Sequence, residues 1–96
     1  MSLDEALDTV KDSETFLAFV RLLAEDRADE VAKEKASPSS PYGPGANGWE
    51  NGTIETFLEA AAAWAESTKF GTTQGLTSEN PWKQFAVFLY CGKIYE

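Results

Sequence analysis

The run from Trp49 to Ala65, Trp-Glu-Asn-Gly-Thr-Ile-Glu-Thr-Phe-Leu-Glu-Ala-Ala-Ala-Ala-Trp-Ala, most constrains what this chain can fold into. It spells out a helix start, a helix interior and a buried face in one stretch. Asn51 or Thr53 can take up the free N–H groups of a first turn, and Glu55 sits where the helix dipole favours an acid. Ile54, Phe57, Leu58, Ala61, Trp64 and Ala65 recur at the spacing of one helical face. None of these six side chains can act as acid, base, nucleophile or metal ligand, so the run speaks for architecture rather than chemistry.

The rest of the chain repeats this grammar. Ser2-Leu-Asp-Glu5 has the form of a capping box, and Leu3, Leu7 and Val10 follow at helical spacing to give a short first helix. Asp12 or Ser13 can cap a second, longer helix reaching about Ala36. Its face uses Phe16, Phe19, Val20, Leu23 and Val31, with Leu17 and Ala24 widening the stripe. The last two turns of that helix are nearly all charged and are expected to fray. Three Pro and three Gly between Ser37 and Gly48 exclude helix and central strand there, so residues 37–48 form a surface connector. A third helix runs from Thr53 to about Glu66, and a loop follows through Phe70-Gly-Thr-Thr-Gln-Gly-Leu-Thr-Ser. Asn80-Pro81 then restarts a helix, with Pro81 at the position where a missing N–H costs nothing. Trp82, Phe85, Ala86 and Leu89 form its inner face, Phe88 can broaden it, and Gly92 or Tyr95 ends it. No internal repeat or strand alternation intervenes. The reading is a single all-α domain over residues 1–96, a small bundle of three main helices plus a short N-terminal one.

Several residues of this pattern resemble a known family. Phe16-Leu-Ala-Phe19 with Leu23 and Asp26, then Trp49-Glu-Asn51, Leu58-Glu-Ala-Ala61 and Trp64, then Trp82-Lys83, Ala86, Leu89 and Tyr95-Glu96 are similar to a bacterial family of small, acidic, helical proteins classed as a domain of unknown function. The resemblance covers nearly the whole chain and implies a shared fold without supplying a catalytic residue. The 37–48 connector departs from it, being longer than the family's usual link.

Composition narrows the possible functions. Acids outnumber bases to give a net charge of −8, and histidine is absent. The charge repels phosphate backbones and anionic lipid headgroups, so neither nucleic acid nor membrane is expected as a partner. Lack of histidine removes the commonest general acid–base and transition-metal ligand, and no cofactor or metal is expected. A lone Cys91 forms no internal bridge, the Met-Ser-Leu-Asp-Glu start lacks the basic and apolar regions of a signal peptide, and no apolar run approaches the roughly 20 residues needed to span a bilayer. A soluble cytoplasmic protein is expected.

The candidate sites are few. Asp26, Glu30 and Glu34 fall at i, i+4 and i+8 with Asp29 beside them, so a helix aligns them in an acidic stripe whose like charges cost a few tenths of a kcal/mol each. This stripe can face solvent or dock a basic partner, gaining association rate by steering. With Tyr42 and Trp49, at the seam between connector and third helix, it forms the candidate partner surface. Trp64 and Trp82 are assigned to packing rather than to an aromatic ligand box, as is Trp49 unless it is exposed. Glu55 and Glu59 read as a solvated pair and Cys91 as a small core residue. Pro38-Ser-Ser-Pro41 reads as plain linker, and the Gly71–Gly75 loop and the Asn51-Gly-Thr53 sequon are set aside. Lys93-Ile-Tyr-Glu96 reads as a cover over the end of the core rather than a docking peptide.

The expected function is a noncatalytic protein-binding module, of which one version is an inhibitor or immunity-type protein against a basic partner. One alternative is a small-molecule binder or enzyme with a pocket between helices three and four, lined by Phe57, Trp64, Trp82 and Phe85. The other is a structural protein that self-associates.

Overall fold

In the computed structural model, which describes residues 1–95, each α-helix among the described residues begins on a side-chain acceptor. Helix α1 (Leu3–Asp8) starts from the Ser2–Glu5 capping box. Helix α2 (Ser13–Ala36) is capped by Asp12, whose Oδ1 accepts the Thr15 N–H at 2.9 Å. Helix α3 (Ile54–Thr68) is capped by Thr53, which accepts from Thr56 N at 3.1 Å, and α4 (Pro81–Ile94) by Asn80, which accepts from Lys83 N at 3.1 Å. A short 3-10 turn, Thr72–Gln74, lies between α3 and α4. Among the described residues there is no strand, and the architecture is all-α.

Helix α4 is the element on which the others converge. One core cluster joins it to α1 and α2 through Ala6, Val10, Phe19, Leu23 and Ala86, and Trp49, just past the connector, belongs to the same cluster. A second joins it to α3 through Trp64, Ala65 and Cys91. Small residues bring α3 and α4 close together. Ala61 and Ala86 are fully buried, and a Cβ at Gly92 would lie 2.7 Å from the Phe57 ring. Gly92 therefore sits inside α4 rather than ending it, and the helix carries on to Ile94.

The chain leaves α3 by a strained route. Lys69 and Phe70 both adopt left-handed backbone, at φ 52° and 56°, a conformation that costs a side-chain-bearing residue on the order of 1 kcal/mol or more. Their N–H groups close on the Ala65 carbonyl, and the Phe70 ring stacks on Phe88 at 5.6 Å and meets Trp64 edge-on at 6.4 Å. Aromatic packing thus holds the reversal in place.

Several faces differ from the sequence reading. Ile54 is 79% exposed and Leu58 53% exposed, so α3 turns Phe57, Ala60, Ala61, Trp64 and Ala65 inward instead. On α2, Leu17 and Val31 are open to solvent. Trp82 and Phe85 lie at the surface, where Trp82 pairs with Phe16 of α2 at 5.4 Å. The pocket expected from Phe57, Trp64, Trp82 and Phe85 is therefore not formed: Trp64 is buried and donates its indole N–H to Gln74, away from Trp82.

A carboxylate clamp and an apolar groove

Helix α2 is about 36 Å long at 1.5 Å per residue, enough for its C-terminal half to serve the connector. The acidic stripe lies on that half, and its acids together bond the segment from Ser39 to Trp49. Glu34 accepts the Ser39 N–H at 2.7 Å, the Ser39 hydroxyl at 2.6 Å and the Ala46 N–H at 2.8 Å. The Ser39 hydroxyl and N–H, with the Ala46 N–H, hold the Glu34 carboxyl below its ordinary range. Glu30, only 2% exposed, accepts the N–H groups of Asn47 at 3.0 Å and Trp49 at 3.2 Å on one oxygen and Arg27 at 2.6 Å on the other. Asp26 accepts the Trp49 indole N–H at 2.9 Å and the Lys93 ammonium at 2.7 Å.

Asn47 locks the same junction from the connector side. Its amide donates to the Asp26 carbonyl at 2.9 Å and the Asp29 carboxylate at 3.0 Å, and its oxygen accepts from Lys33 at 2.8 Å. The bonds from Lys33 and then Asn47 lower the Asp29 pKa. Gly45 passes so near that a Cβ there would fall onto the Glu30 carboxylate. The like-charged row thus persists because N–H donors, Arg27 and Lys93 take up its lone pairs.

This geometry changes what the proposed partner surface can do. Asp26, Glu30 and Glu34 spend their acceptors inside the chain, and Glu30 is inaccessible, so the stripe is a clamp for the connector. The end of α2, expected to fray, is tied down by the same bonds. Trp49 is 7% exposed, with Arg27 5.4 Å and Lys93 5.6 Å from its ring and Phe57 stacked at 6.0 Å. Tyr42, at 97%, is fully open, and Asp29 is also exposed.

Sequence reasoning missed Arg27 and Lys93 as counter-ions, although an unbalanced acidic row was a signal to look for cations on other elements. Lys93 is buried beside Asp26, which makes it part of the interior rather than of a C-terminal docking peptide. Glu96 lies outside the described residues. Asn51 does not cap α3. Its amide donates to the Gly92 carbonyl at 2.9 Å and the Tyr95 carbonyl at 2.8 Å, closing the C-terminal end of α4.

Beside the clamp lies an open apolar space. Helices α2 and α3 both pack against α4, and between them opens a groove of about 340 Å³. Trp49, Phe57 and Leu89 line its apolar interior together with Val20, Leu23 and Ala24 of α2, and Ile54 lines it from the start of α3. A smaller cleft of about 270 Å³ lies among Asn51, Thr56, Glu59 and Tyr95. Cys91 is buried, and burial pushes its thiol up to about 11, which keeps it protonated at neutral pH. Among the described residues no group of three or more His, Cys, Asp or Glu side chains is arranged to hold a metal ion, and no helix is long and apolar enough to cross a membrane.

Fold and site together define a small all-α domain in which a buried acid–amide clamp seats a tryptophan beside an apolar groove. The chain belongs to DUF7660, a family of unknown function, whose model matches residues 12–96. The match takes in α2, the connector, α3 and α4. No curated protein and no solved structure matches the chain.

Proposed function

We propose that this domain is a noncatalytic protein-binding module of the cytoplasm, and that its receptor surface is the groove between α2 and α3 rather than the acidic stripe. The observation that carries this reading is an apolar groove bordered by Ile54, which stands 79% exposed on a well-capped helix. Together the open side chain and the apolar cleft it borders offer a surface that another chain can cover. The net charge of −8 supports a basic protein partner over nucleic acid or an anionic membrane. Inhibition of such a partner, as by an immunity-type protein, is one form this function can take.

Retention of proteins from the source cells on wild-type and Ile54→Asp baits, at low and moderate salt, tests the reading. Ile54 is exposed, so the substitution leaves the core intact. A partner held by the wild type and lost by the variant supports the groove. Equal retention on both baits, or none at either salt, contradicts it.

A further inference from the structure

The chain carries two Asn-Gly pairs, Asn47-Gly48 and Asn51-Gly52, on either side of Trp49. In such a pair the backbone nitrogen of the glycine can attack the side-chain amide carbon of the asparagine, because a residue without a Cβ leaves that nitrogen unobstructed. The new N–C bond closes a succinimide ring as the bond to the amide nitrogen breaks, and ammonia leaves with the proton shed by the glycine. Water then adds to either ring carbonyl. The ring opens to aspartate, or to isoaspartate, whose backbone runs through the side-chain carbons. Two conditions favour the attack: a glycine N–H free to lose its proton to solvent, and an amide able to turn toward it.

We infer that the fold protects Asn47 and leaves Asn51 as its site of spontaneous deamidation. Asn47 is held at both ends of its amide, by Lys33 on the oxygen and by the Asp26 carbonyl and Asp29 carboxylate on the nitrogen. The attacking group is occupied as well, since the half-buried Gly48 donates its N–H to the Gly45 carbonyl at 2.9 Å. At Asn51 the amide nitrogen alone is held, by the Gly92 and Tyr95 carbonyls. Among the described residues no donor bonds its side-chain oxygen, and no acceptor takes the N–H of the exposed Gly52. The nucleophile is thus open to solvent in one pair and hydrogen-bonded in the other.

Conversion at Asn51 reaches both the helix end and the groove. A carboxylate there cannot donate, so the Gly92 and Tyr95 carbonyls lose their partner and face a negative charge where the helix dipole is already negative. Isoaspartate also inserts a methylene into the backbone before Gly52, whose carbonyl accepts from Arg27 at 3.1 Å. Asn51 and Gly52 both line the groove, so the modification alters its rim along with the last turn of α4. None of this chemistry depends on what occupies the groove.

The test is peptide mapping by mass spectrometry of the full chain incubated at mildly alkaline pH, folded and in urea. In the folded chain the ratio of conversion at Asn51 to that at Asn47 should exceed its value in urea by roughly tenfold or more, because fewer hydrogen bonds must break before attack. Isoaspartate should be among the products. Gly52→Ala, whose Cβ meets the Arg27 guanidinium at an ordinary 3.4 Å, should abolish most conversion at Asn51 and leave Asn47 unchanged. Asn51→Asp places the product carboxylate directly and should speed exchange of the Tyr95 N–H bound to the Cys91 carbonyl. A ratio no higher than in urea, or no conversion of the folded chain over the time that converts the unfolded one, would overturn the assignment. So would conversion at Asn51 that Gly52→Ala leaves untouched. Unchanged exchange in Asn51→Asp would overturn the effect on α4.

Discussion

The carboxylate of Glu30 accepts the backbone N–H of Trp49 from nineteen residues away, at 3.2 Å and out of solvent. This bond fixes where the connector ends and where the groove begins, because the indole that follows enters the groove wall. An acid read from the sequence as surface thus builds the interior of the candidate site.

Removing that acceptor should be costly. Glu30→Ala leaves the Asn47 and Trp49 N–H groups without their acceptor, each such orphan costing about 1–3 kcal/mol, and removes the carboxylate from the part-exposed Arg27 guanidinium, which keeps the Gly52 carbonyl. A total loss of about 3 kcal/mol is expected in urea unfolding followed by tryptophan emission. Glu30→Gln keeps one acceptor but turns its amide toward Arg27, and should lose about half as much. A loss under about 0.5 kcal/mol for the alanine variant would place Glu30 in solvent.

The glycines of the connector offer a paired test. Gly45→Ala drives a methyl group into the Glu30 carboxylate, and a loss of about 1–3 kcal/mol is expected. Gly43→Ala has open space around its new Cβ and should change stability by less than about 0.5 kcal/mol. Equal effects at the two positions would mean that the connector does not dock.

Asn51→Ala separates two assignments of that side chain. Its amide bonds the Gly92 and Tyr95 carbonyls, so amide exchange should speed up in the last turn of α4, beginning with the Tyr95 N–H bound to the Cys91 carbonyl. Exchange in the first turn of α3 should stay unchanged, because Thr53 holds that cap. Faster exchange in α3 alone would return Asn51 to the role of helix cap.

Acid should loosen the connector. Glu34 and Asp29 have folded pKa values lowered from 4.5 and 3.8, by hydrogen bonds from Ser39 and from Lys33 respectively. A lowered carboxyl contributes stability that is complete above its unfolded value and is lost as pH falls through its folded value. The resonances of Ser39, Ala46 and Asn47 should therefore hold steady above about pH 5 and move together below it. Movement centred near neutral pH would contradict the clamp.

The caps at Ser2 and Asn80 were legible in the sequence because a cap bonds residues three positions away, Asp12 was legible as one of two candidates with Ser13, and the all-α class rests on the same local rules. Thr53 was legible as one of two candidates. Less legible was which part of a wide apolar stripe turns inward. Ile54 and Leu58 outrank alanine in hydrophobicity, yet Ala60 and Ala61 are buried, because only small side chains let α3 approach Ala86 and Gly92 of α4. The stripe Asp26–Glu34 was visible as a row of acids. Its partners were not, because they are N–H groups of an irregular segment and cations as distant as Lys93, and no periodicity encodes those meetings.

The clamp itself is best tested by amide hydrogen exchange at Ala46, Asn47 and Trp49, in the wild type and in Glu30→Ala. The expected result is slow exchange at all three sites in the wild type. In the variant, protection should be lost at Asn47 and Trp49 and retained at Ala46, which Glu34 holds. Exchange of all three in the wild type at the rate of an unstructured chain would show the connector to be a free linker and would contradict the account.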